Sequence, residues 1–193
     1  GASTGEGQAA VRPRPSGGGG LADQARELFA GLAYGGVSEA DVRDIRLLKA
    51  RMENERLPRG TEPARHVKLG PGGLTDVEWT IQLIQMRHGR EVEALRTSST
   101  TDAIAAARDA GLLEAPDAEI LLNAWDLATR IRAGNTLATG RMSGVKLDVV
   151  PRDSAELGAL AAILGYGSGG LTALEEDWLR AARQARATSL LRG

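Results

Sequence analysis

An all-α fold is expected: an antiparallel bundle of six to seven helices, with one short strand-like segment before a glycine turn. Three observations predict it. Aromatics make up only 3 % of the 193 residues, while Ala, Leu, Arg and Glu abound, a mixture that favours helices over sheets. Apolar residues recur at helical spacing in segment after segment. The connections between those segments are short and punctuated by Gly or Pro, as between antiparallel neighbours. No repeat at a solenoid period is visible.

Residues 1–20, G-A-S-T-G-E-G-Q-A-A-V-R-P-R-P-S-G-G-G-G, have no apolar period and read as a disordered leader or an appended linker. Leu21 to Ala33 is a first short helix with Leu21, Ala25, Leu28, Phe29 and Leu32 on one face. Gly35-Gly36 ends it. Ser38 with Asp41 forms a capping box for a helix running to about Glu55. Val42, Ile45, Leu48 and Met52 face inward there, and Arg43, Asp44, Arg46, Lys49, Arg51 and Glu53 make a charged outer side. Leu57 to Pro63 is a loop.

His66-Val67-Lys68-Leu69 is the β-compatible run. Gly70-Pro71-Gly72-Gly73 must then turn tightly, because glycine tolerates positive φ and proline fixes its own. A helix follows at once, with Thr75 and Glu78 placed as its capping box. Leu74, Val77, Ile81, Ile84 and Gln85 share one side of it, and it ends near His88-Gly89. Ser99 with Asp102 opens a helix through Ala110. Pro116 suits the first turn of the next, Asp117 to about Leu137. Gly140 to Arg152 is a loop. A helix from Ser154 ends at Gly165, and a last one runs from about Leu171 to Leu190.

Composition limits function. Net charge is −1, so no single-sign field invites nucleic acid or anionic lipid. There is no cysteine, hence no disulfide and no thiolate metal site. No apolar run is long enough to span a bilayer, and the start has no signal-peptide pattern. A cytoplasmic location, without nucleic-acid or membrane partners, is the expectation.

The chemistry concentrates around the glycine turn. Lys68 can reach a phosphate from the strand end, or simply be a surface lysine. Gly70, Gly72 and Gly73 can present backbone N–H groups to phosphate at a helix start, or merely join strand to helix. Asp76 and Glu78 lie two residues apart on a helix, so they point roughly 200° apart and cannot easily grip one ion together. Glu78 has the cap spacing, which leaves Asp76 as the residue to face a cleft and hold a metal. Both acids also suit a helix N-terminus without any further role. Arg51 and Arg56 can bind phosphate or pair with Glu53 and Glu55. His66 and His88 are too far apart to suggest zinc.

The string K-L-G-P-G-G-L-T-D-V-E-W, Lys68 to Trp79, resembles the K-x-G-x-G-G-[LI]-x-D-[IV]-E-[FW] signature of the glutamine synthetase adenylyltransferases. R-M-E-N-E-R-L-P-R-G (Arg51 to Gly60) and Q-L-I-Q-M-R-H-G (Gln82 to Gly89) are also similar to that family. The PII uridylyltransferases share G-P-G-G-L-x-D but usually carry Gln where Glu78 stands. The resemblance covers roughly Leu21 to the C-terminus.

That resemblance implies a parent enzyme that transfers AMP from ATP to a tyrosine of glutamine synthetase, with Mg²⁺, and removes it by phosphorolysis in its other half. It implies catalytic roles for Asp76 and Glu78, and nucleotide binding by Lys68, Gly70, Gly72, Gly73, Arg51 and Arg56. The family's metal-binding G-S-x-x-D motif is absent here. The chain therefore resembles the helical part that follows a nucleotidyltransferase domain, residues 21–193, in the C-terminal, adenylylating half. Alone it is expected to fold but to catalyse little. Two other expectations stand beside this one: a docking module for glutamine synthetase or a PII-type signal protein, and a bundle whose glycine turn is only a connector.

Overall fold

The computed structural model describes residues 37–167 and 170–189. The leader and the helix expected at Leu21 to Ala33 lie outside those residues. Six α-helices occur among the described residues: α1 Glu39–Arg56, α2 Leu74–His88, α3 Thr100–Asp109, α4 Ala115–Thr139, α5 Ser154–Ile163 and α6 Gly170–Thr188. Single 3₁₀ turns, Pro63–Arg65, Glu93–Leu95 and Val145–Asp148, sit in the connections. The all-α reading holds.

Local chemistry explains where most helices begin. Ser38 Oγ accepts the Asp41 N–H while Asp41 Oδ2 accepts the Ser38 N–H, a complete capping box for α1. Ser99 Oγ accepts the Asp102 N–H at the start of α3. Pro116 occupies the first turn of α4, where its missing N–H costs nothing. Asp153 caps α5 by accepting the N–H groups of Ala155 and Glu156. The expected Thr75–Glu78 box on α2 does not form. Gly73 is the N-cap of α2 and contributes no side chain, and the turn's own carbonyls take the first N–H groups instead.

The strand-like segment is also shorter than its composition suggests. His66 makes one antiparallel bridge, to Val149, and no longer strand is present among the described residues. The Val67 N–H donates to the Asp148 carbonyl and the Val150 N–H to the Arg65 carbonyl, 2.8 and 2.9 Å. A 3₁₀ turn before this pairing and the glycine turn after it leave no room for extension. Asn135 on α4 steadies the partner segment by donating to the Leu147 and Val149 carbonyls.

The central helix is α4, which packs against α2, α3, α5, α6 and the Val145–Asp148 turn. One core joins Val77, Ile81 and Ile84 of α2 to Ile104 of α3, Leu121 and Ile131 of α4, Leu160 of α5, and Leu174 and Trp178 of α6. Small residues let the backbones approach. A Cβ on Gly134 would lie 2.6 Å from Leu160 Cδ1, so α4 and α5 meet where glycine stands. A second cluster lies on the other side of α2, where Trp79, Leu83 and Met86 pack against Val42 and Ile45 of α1. α2 is therefore apolar on two sides because it is buried on two sides.

Candidate functional site

The glycine turn is built from the inside. The Gly70 N–H donates to the His66 carbonyl, Gly73 to Gly70, Leu74 to Val67 and Thr75 to Lys68, all between 2.8 and 3.0 Å. His66, 2 % exposed, turns its Nδ1 inward to accept the N–H groups of Lys68 and Leu69. That fixes the imidazole in the tautomer with its proton on Nε2. Burial pushes the His66 imidazole below its ordinary range, partly opposed by nearby Asp148.

Gly72 shows why this position takes no side chain. Its φ is +75°, and a Cβ would lie 1.8 Å from the Ala182 carbonyl oxygen of α6. The Gly72 N–H donates to Asp76 Oδ2 at 2.7 Å. The N–H groups of Gly70, Gly72 and Gly73 thus all have acceptors within the chain, and the three glycines are buried. The expectation that they turn those groups toward a phosphate is replaced by a packing role.

Neither Asp76 nor Glu78 takes the part expected of it: Glu78 does not cap α2, and Asp76 points into the protein. Asp76 is 3 % exposed. Its Oδ1 lies 2.7 Å from Lys49 Nζ, and its Oδ2 lies 3.0 Å from Arg186 Nη1 besides accepting from Gly72. It does not face a cleft, and both its oxygens are held by cations or N–H, so it does not fit a metal. Among the described residues no three His, Cys, Asp or Glu side chains come together as a metal site. Lys49, read as part of an outer charged face, is instead 3 % exposed. Its signal was present in the sequence, because Val42, Ile45, Lys49 share one apolar stripe at i, i+3, i+7.

Glu78 is half-buried on the other side of the same helix turn. Burial raises its carboxyl above the usual range, and the charges of Lys68 and Arg132 pull it back only in part. Lys68 is exposed. Arg132 of α4 also bonds Asp148. The tertiary structure thus brings Lys68, Glu78, Arg132 and Asp148 around the His66 turn. Neither Arg132 nor Asp148 stood out in the sequence, since both are far from the turn along the chain.

Arg51 and Arg56 are exposed at the end of α1, and Arg51 Nε lies 3.9 Å from Glu55 Oε1 in an ordinary i,i+4 pair. Among the described residues neither arginine has a hydrogen bond or ion pair to the turn. Gln85, on the turn's own helix, donates to the Leu95 and Thr97 carbonyls and so ties α2 to the next connection. Trp178 donates its indole N–H to the Ala64 carbonyl, anchoring the entry to the turn on α6.

The profile of the GlnD PII-uridylyltransferase family matches residues 46–189. The chain belongs to that family. Its curated relatives carry a second name. It is 52 % identical over 162 residues to a bifunctional glutamine synthetase adenylyltransferase/adenylyl-removing enzyme of Streptomyces coelicolor, covering 83 % of this chain and 16 % of that protein. It is 51 % identical over 152 residues to the protein of the same name from Streptomyces avermitilis, covering 79 % and 15 %. The same name belongs to a Bifidobacterium longum subsp. infantis relative, 41 % identical over 191 residues, covering 96 % and 17 %. The chain therefore spans about one-sixth of the length of these relatives. The described part has no helix long and apolar enough to cross a membrane.

Proposed function

We propose that this chain is the helical part of a glutamine synthetase adenylyltransferase, lying beside a nucleotidyltransferase domain and completing its cleft. The parent reaction is transfer of AMP from ATP to a tyrosine hydroxyl of glutamine synthetase, with phosphorolytic removal in the enzyme's other half. What supports the reading is that an exposed Lys68 and a half-buried Glu78 flank the signature turn, with the charges of Lys68 and Arg132 both acting on the Glu78 carboxyl. Lys68 and Arg132 supply positive charge suited to a nucleotide's phosphates. Glu78, at the start of α2, supplies a carboxylate on the same side. Mg²⁺ supplies charge neutralisation at the phosphates in such transfers, but Asp76 is not available to hold it, so its ligands belong to the parent's other residues.

The test is adenylyl transfer to glutamine synthetase by the full-length enzyme carrying Lys68→Ala or Glu78→Gln. A fall of roughly tenfold or more in rate is expected for each, the usual scale for losing a positioned charge. Wild-type turnover in both variants would overturn the reading.

A second reading is favoured by one feature of α1. Leu47 is 61 % exposed among exposed Arg43, Asp44 and Arg46, a surface suited to docking glutamine synthetase or a PII-type signal protein. Calorimetric titration of both proteins into this chain checks it. Binding that Leu47→Asp abolishes supports docking, and absence of heat with either protein removes it.

A further inference from the structure

Two cations from distant parts of the chain meet one buried carboxylate directly beneath the glycine turn. Lys49 comes from α1 and Arg186 from α6, and Asp76 lies between them in the first turn of α2. The Asp76 oxygen that meets Arg186 also accepts the Gly72 N–H. A buried carboxylate deprived of its cations is strongly disfavoured, so the three side chains hold one another in place. A hydrogen bond to an ionised acceptor is stronger than a neutral one, so Gly72 is bound firmly to that arrangement. Gly72 has little freedom to do otherwise, with the α6 backbone against its Cα. Thr80 Oγ1 adds a further link, bonding both the Asp76 carbonyl and Ser189 just beyond α6.

Two helices that carry none of the turn's own residues therefore set where the turn stands. Through the turn they set the position of Lys68, and through the first turn of α2 that of Glu78. Resting on the reading under Proposed function, we propose that Lys49 and Arg186 are positioning residues of the glycine-turn site, acting through Asp76. Both reach Asp76 rather than Lys68 or Glu78. Their effect is on the geometry of those two groups.

The test uses the ¹⁵N-labelled chain and the full-length enzyme in parallel. In Lys49→Met and Arg186→Gln the Gly72 amide proton should move upfield and exchange with solvent roughly tenfold faster. Lys49→Arg should restore most of the wild-type signal, and Arg108→Ala, which removes an exposed pair on α3, should leave it unchanged. In the full-length enzyme the same two variants should lower adenylyl transfer by roughly tenfold, in kcat more than in KM for ATP. If Lys49→Met does not fold, Arg186→Gln carries the test, since the Arg186 side chain is 34 % exposed and its loss is milder. An unchanged Gly72 amide in the folded variants overturns the proposal. So does a shifted amide with wild-type transfer, provided Lys68→Ala does slow transfer. If Lys68→Ala and Glu78→Gln leave transfer intact, the reading under Proposed function has failed instead, and the Gly72 amide still reports separately on the triad.

Discussion

The two sides of the first turn of α2 carry the same chemical parts in opposite settings. On one side Asp76 stands between a lysine and an arginine, Lys49 and Arg186, with the Lys49 and Asp76 side chains only 4 % exposed. On the other side Glu78 also feels a lysine and an arginine, Lys68 and Arg132, but half-buried and beside an exposed Lys68. The first group is closed: each Asp76 oxygen has a partner within 3.0 Å. The second remains open to solvent and to whatever approaches the turn. Composition does not separate the two. Contact distance and burial do, since a pair removed from water is both more tightly coupled and less replaceable than one that reaches it.

The comparison breaks most readily on the closed side. Asp76→Ala leaves Lys49 buried without its carboxylate and should cost about 3–5 kcal/mol of stability, read from the midpoint of urea unfolding. A loss no larger than that of an exposed pair would mean the triad is not the tie it resembles. Gly72→Ala should come next. A non-glycine residue at positive φ costs roughly 1–3 kcal/mol, and the clash with the Ala182 carbonyl adds to it.

His66 holds the backbone ahead of the glycine turn through its Nδ1, and pH tests that hold. Its imidazole is held below the ordinary value of 6.5, so the unfolded chain binds the proton first. Stability is then fully present above 6.5 and falls as the pH drops through the folded value. Protonation of Nδ1 would also set a donor against the N–H groups of Lys68 and Leu69. Urea unfolding across that range should show the loss, and His66→Asn should flatten it.

On the open side the sign reverses. The Glu78 carboxyl is raised, so its contribution is favourable only below its unfolded value near 4.5 and is lost as pH rises through the folded value. Glu78→Gln should therefore stabilise the neutral-pH protein slightly, by roughly 0.5 kcal/mol after solvent screening, while lowering transfer in the full-length enzyme. Destabilisation would place Glu78 among structural residues. The smallest effect is expected at Arg51→Ala, within about 0.5 kcal/mol by thermal unfolding, because that pair is exposed on both partners.

Spacing and local chemistry were enough for the helices from Ser38 onward, most of their caps and the family. Periodicity placed α1 and α3 to within a residue or two, and Ser38, Ser99 and Pro116 marked starts that the structure retains, because capping is decided within four residues of chain. The turn was legible for the same reason: glycine takes a positive φ at the least cost, and Gly72 stands at +75°. What spacing could not decide was which acid on α2 faces inward. Thr75 and Glu78 have the spacing of a cap, yet Gly73 starts the helix and Asp76 turns toward α1 and α6. That choice depends on Lys49, 27 residues earlier, and Arg186, 110 residues later, coming within contact distance. Likewise Arg132 and Asp148 come near His66 and Glu78 only because α4 packs against α2 and the Val145–Asp148 turn. Local hydrogen bonds and dihedral limits act over a few residues and are written in order along the chain. The pairing of charges depends on packing between elements, and only the tertiary structure brings those partners together.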